Sequence, residues 1–217
     1  MNASFEKKAG ISLIVFTALI TLTMVFHPSG GSFSHILKAA RIAIISHTIA
    51  LISLPFASIG LWGLTKKIGR SNFFALCAFL MASFALIAVF MAGTLNGLAL
   101  PIFVENYQDA TDEVLVSLKP IMTFRQSINA AFDYVYIGGF CLSILFWSIS
   151  ILATRKLPLW IGYFGILIAV CGVAVNCLGV SPASVHGAML FALCIVVWVI
   201  TIAVNLINTT SEPDANL

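Results

Sequence analysis

NFFALCAFLMASFALIAVFMAGTLNGLA, residues 72–99, runs without a single Asp, Glu, Lys or Arg. A helix rises about 1.5 Å per residue, so about 20 residues cross the roughly 30 Å hydrocarbon core of a bilayer, and this stretch is longer than that. Outward from it, breaks at charges, Pro and Gly delimit six apolar segments at about 10–26, 42–65, 72–99, 127–153, 158–179 and 184–207. The first is the shortest. Lys7 and Lys8 ahead of ISLIVFTALITLTMVF (11–26) have the layout of a signal peptide, but HPSGGS (27–32) offers no A-x-A cleavage pattern, so an uncleaved first helix is expected.

The remaining composition agrees. Of 217 residues, 60% are hydrophobic and 9% charged, against about 45–50% and about 25% in a soluble domain. Mean hydropathy is +1.07. The expected fold class is all-α: a polytopic transmembrane bundle of six helices, with residues 1–217 forming one domain in a lipid bilayer. Eleven basic and eight acidic residues give a net charge of +3 without any Lys/Arg-rich run, which excludes nucleic acid as a partner. The five cysteines all lie in apolar segments and form no CxxC, so no disulfide framework is expected.

Orientation follows from Lys and Arg in the connections. Lys7, Lys8, Lys66, Lys67, Arg70, Arg155 and Lys156 fall on the side of the N-terminus, against Lys38, Arg41, Lys119 and Arg125 on the other. This bias puts both termini in the cytoplasm. The longest outer connection is 100–126. In it Thr111, Asp112 and Glu113 read as a capped helix start, Pro120 opens the fourth helix, and residues 34–41 extend the second helix outward. Pro55 predicts a kink in the second span, and Gly138 with Gly139 a variation in the fourth.

Small residues mark close helix packing in lipid. Gly162, Gly165, Ala169, Gly172, Asn176 and Gly179 share one face of the fifth span, and Ala78, Ala82, Ala85, Ala92 and Asn96 a looser stripe on the third.

Polar residues collect at one end. Arg125, Asn129, Asp133 and Tyr136 form a stripe on the fourth helix, His47 lies six residues past Arg41, and His27, Asn96, Asn176 and His186 fall on the same side. Unpaired polar groups in hydrocarbon cost several kcal/mol, so His47 and Asp133 are expected to turn inward, Asp133 pairing with Arg41 or His47. The expectation is an outward-facing polar pocket of His47, Asp133, Asn176 and His186, lined by Arg125 and Asn129, that binds a small ligand, a lipid or a partner subunit, whether another protein or a second copy. His47 also reads as a structural interhelical hydrogen-bonding group. An alternative is a haem- or metal-binding redox protein using His47 and His186, or a zinc or copper shell of His27, His47, His186 and Asp133. Lower stand an intramembrane hydrolase or transferase, with Asp133 and His47 as acid and base and Ser46, Ser181 or Ser184 as hydroxyl, and a transporter, for which the midplane holds no ionisable residue. No reaction and no cofactor is dictated by these residues.

HPSG (27–30), LPFASIGLWGLTKKIG (54–69) and RKLPLWIGYFGILIAVCG (155–172) resemble uncharacterised bacterial six-helix membrane proteins. The resemblance implies the bacterial inner membrane and six-helix architecture, and carries no activity or catalytic residue with it.

Overall fold

A computed structural model describes the backbone of residues 3–28, 31–177 and 185–208, and side chains for all of these except 3 and 175–192. Among the described residues there is no strand. Eight α-helices follow in order: α1 (Ala3–Phe26), α2 (Phe33–Ile68), α3 (Phe73–Thr94), α4 (Leu100–Glu105), α5 (Asp112–Ser117), α6 (Lys119–Thr154), α7 (Leu159–Cys177) and α8 (Val185–Ile207). A π-helical segment, Leu95–Ala99, joins α3 to α4 without a break. Ser4–Phe26, Phe33–Ile68, Phe73–Glu105 and Asp112–Thr154 are long and apolar enough to cross a membrane, and Leu159–Ala174 and Leu193–Ile207 are shorter apolar helical stretches. The six expected helices are present.

Helix ends differ from the hydropathy breaks where hydrogen bonding outruns apolarity. α1 starts at Ala3, not near residue 10, because Glu6, Lys7 and Lys8 are compatible with helix and Glu6 is buried by a partner. The third helix passes residue 99 through Pro101 to Glu105, and α6 begins at Lys119 with Pro120 in its first turn, as Pro120 predicts. α5 starts after Thr111 as expected, although the Thr111 side chain makes no capping bond. Ser32 caps α2 by accepting from His35 N, and Asn72 caps α3 by accepting from Ala75 N at 3.0 Å. α2 ends at Gly69, whose φ of +139° favours glycine. Pro55 lies within an unbroken α2.

The long helices pack antiparallel and close a ring: α1 on α2, α2 on α3, α3 on α6, α6 on α7, α7 on α8 and α8 back on α1. Small residues form the contacts. Ala75, Ala78, Ala82 and Ala85 are fully buried on α3, and Gly139 of α6 sits against Ala85 and Met81. Gly60 and Gly63 of α2 meet Leu13 and Ala9 of α1, while Gly162 and Gly165 of α7 meet Leu152 and Ser148 of α6. Large apolar side chains also lie on the outside: Ile45, Ile52 and Ile59 on α2, Leu80, Phe84 and Ile87 on α3, Tyr163, Leu167 and Val170 on α7. The largest buried side chains are Trp147 and Trp198, with ring centres 6.4 Å apart; Trp147 donates to Thr65 Oγ1 and Trp198 to the Ile161 carbonyl, so neither indole nitrogen is left unpaired.

Candidate functional site

The π-helical segment organises the polar end of the ring. Pro101 has no N–H for the carbonyl of Gly97, four residues back, and its ring crowds that carbonyl. The chain widens there, with Leu100 N–H reaching Leu95 O. Two consecutive residues of the widened turn serve two neighbouring helices: Asn96 meets α6, and Gly97 meets α2.

On the α6 side the polar groups form one directed relay. Arg125 Nη1 donates to Asn96 Oδ1, Asn96 Nδ2 donates to Asn129 Oδ1, and Asn129 Nδ2 donates to Asp133 Oδ2 at 3.0 Å. A guanidinium can only donate and a carboxylate only accept, so the two ends fix the orientation of both amides. The bond dipoles run from the cation to the anion, the arrangement in which successive hydrogen bonds strengthen one another. Asn96 also donates to the Ala92 carbonyl at 3.0 Å, locking its rotamer. Arg125, Asn96 and Asn129 are half-buried, whereas Asp133 is exposed. Arg125 Nε is buried and has no hydrogen-bond partner among the described residues. Tyr136, the last residue of the stripe, is half-buried with its ring against Phe140.

His47 belongs to a separate group on α2. It is 8% exposed, its Nδ1 lies 2.8 Å from the Ala43 carbonyl, and its side chain covers the backbone of Gly97, where an added Cβ would fall inside it. Ser46 Oγ donates to the same carbonyl at 3.1 Å. From α1, Thr23 Oγ1, which donates to Leu19 O at 3.0 Å, also reaches the Ser46 carbonyl at 3.3 Å, and the His27 ring centre stands 4.9 Å from that of His47.

Sequence reasoning placed these residues at one end but paired them differently. Asp133 is not bonded to His47 or Arg41: its partner is Asn129, one helical turn away on the same helix, and His47 is committed to Ala43. Arg41 is exposed. Among the described residues, Arg125 and Asp133, eight residues apart on one helix, connect only through the amides of Asn96 and Asn129. The side chains of Asn176 and His186 lie outside the described residues, as do Ser181 and Ser184. No group of three His, Cys, Asp or Glu arranged to hold a metal occurs among the described residues.

Two apolar grooves open on the surface, away from these groups. One, of about 420 Å³, lies between α6 and α7 and is lined by residues including Cys141, Leu145, Ala169 and Val173. The other, of about 320 Å³, lies between α1 and α8 beside Thr17, Thr21 and Ile200.

The polar anchors at the opposite end are not visible in the sequence pattern. Lys67 Nζ meets Glu6 Oε2 at 2.9 Å, Lys66 Nζ stands 3.8 Å over the Phe5 ring, and Ser150 Oγ donates to Asn72 Oδ1 at 3.0 Å. Spacing within one helix cannot reveal such pairs, since every partner comes from a helix distant in sequence. Compared with protein-family models, curated proteins and solved structures, the chain matches none.

Proposed function

We propose that this chain is a multi-pass integral membrane protein of a bacterial inner membrane, with both termini in the cytoplasm, and that it works by binding an oxyanion-bearing ligand at the extracytoplasmic end of its helix ring. The packing supports insertion: glycines and alanines form the close helix contacts while many Ile, Leu and Phe side chains face outward, as expected when the surroundings are as apolar as the interior. The seven-to-four bias of Lys and Arg supports the orientation.

The observation that carries the binding reading is Arg125. Among the described residues its charge meets no carboxylate directly, one nitrogen is held by Asn96, and its buried Nε has no partner. A buried donor left unpaired calls for an acceptor. A guanidinium is a planar fork of donors suited to gripping a carboxylate or phosphate. Binding also fits these groups better than acid–base catalysis between Asp133 and His47, which have separate partners.

The test is thermal unfolding of detergent-purified protein with phosphatidylglycerol, phosphatidylcholine or inorganic phosphate added, on wild type and Arg125→Gln. Wild type is expected to be stabilised by an anionic additive and the variant not. Stabilisation by phosphatidylglycerol alone assigns a lipid headgroup, by phosphate a small anion. An equal response in R125Q, or none in wild type, overturns the reading.

A further inference from the structure

The His27 and His47 pair, which the relay does not use, has the features of a metal-binding site. His47 Nδ1 faces the Ala43 carbonyl at 2.8 Å, and because a carbonyl only accepts, Nδ1 carries the ring hydrogen. Nε2 is thereby left as the lone-pair nitrogen. This is the usual support of a metal-ligating imidazole, whose second nitrogen donates to a backbone carbonyl that fixes tautomer and ring orientation. The second ring is also positioned. Thr23 Oγ1, which bonds Leu19 O at 3.0 Å, also reaches the Ser46 carbonyl at 3.3 Å across the α1–α2 contact, and His27 follows directly on the end of α1 at Phe26, its ring against that of His47.

The ring centres are 4.9 Å apart with planes inclined at 52°. With Zn–N bonds of about 2.0–2.1 Å, each ring centre stands roughly 3 Å from a bound ion, so this separation fits two adjacent positions on one tetrahedral or tetragonal ion. His27 is exposed and gives an ion a path in, while buried His47 supplies the rigid ligand.

We propose that His27 and His47 together bind one divalent first-row transition-metal ion of the zinc or copper type, whose other positions are taken by water. The proposal is independent of the Arg125 reading and stands or falls separately from it.

The experiment titrates detergent-purified, metal-free protein, without a histidine tag, with Zn(II) by calorimetry and with Cu(II) by electron paramagnetic resonance. Wild type is expected to take one equivalent, with nitrogen superhyperfine structure from two imidazoles on copper. His27→Ala changes an exposed side chain and leaves the fold in place; it should weaken zinc at least tenfold and reduce the copper signal to one imidazole. His47→Gln should do the same, and His35→Ala should leave both unchanged. Zinc affinity and copper spectrum in H27A equal to wild type, or no stoichiometric binding in wild type, overturns the proposal.

Discussion

Gly97 shows how much a single hydrogen atom decides here. A Cβ at this position would occupy the space of the His47 side chain, which is itself held by Ala43 and cannot swing away cheaply. Gly97→Ala is therefore expected to lower stability by about 1–3 kcal/mol, the usual penalty of overpacking, despite alanine's better helix propensity. Gly138→Ala is the matched control, because among the described residues nothing lies within 4 Å of its would-be Cβ. That variant should melt at or above the wild-type temperature. Melting curves of the two in one detergent check the pair, and equal melting temperatures would mean that the contact between α2 and the π segment is loose. Asn96 poses the complementary case: Asn96→Leu removes the acceptor of Arg125 and the donor to Asn129 together, with an expected loss of about 1–3 kcal/mol for stranded half-buried polar groups.

At the scale of elements, the joint between α3 and α4 gives the polar end its geometry. The widened turn before Pro101 lets Asn96 and Gly97 face different helices. Pro101→Ala restores an amide and removes the crowding of the Gly97 carbonyl, so the segment is expected to relax toward regular α-helix and turn Asn96 out of line with Asn129. A double-mutant cycle of Asn96→Ala and Arg125→Gln reads this: coupling of about 0.5–3 kcal/mol in the native background, near zero with P101A. Unchanged coupling would show that the proline does not set the turn. The six helices themselves were legible because apolar length and charge breaks are properties of each segment alone. The small-residue stripes were legible too, and Ala78, Ala82, Ala85, Gly162 and Gly165 do form contacts. What hydropathy could not register is a turn of altered hydrogen bonding inside an apolar run. Nor could it choose partners for the polar stripe: Asp133 found Asn129 one turn away, and Arg125 found Asn96 on a helix 29 residues back.

Over the whole molecule, the two ends of the ring are built on opposite electrostatic plans. At the relay end a cation and an anion are joined through two amides, and Asp133 remains exposed. At the other, Glu6 and Lys67 touch at 2.9 Å, with side chains 4% and 19% exposed, and tie α1 to the end of α2. The partners are unequal. A lysine can extend its ammonium along its apolar stem toward water, whereas the buried Glu6 carboxylate has no such reach. Removing one member of a buried pair costs mostly what it takes to leave the other charge stranded. Lys67→Met is thus expected to destabilise by about 3 kcal/mol or more, and Glu6→Gln, which leaves a neutral amide and a lysine able to reach solvent, by about 1–2 kcal/mol. If the membrane orientation is as proposed, this pair lies at the cytoplasmic surface, and an acidic phospholipid headgroup can take over the lysine in the Glu6→Gln variant but can do nothing for a stranded carboxylate. The gap between the two variants should then widen in phosphatidylglycerol bicelles relative to phosphatidylcholine bicelles, measured by thermal unfolding. Equal losses for the two variants in both lipids would place the pair's energy in packing instead of charge.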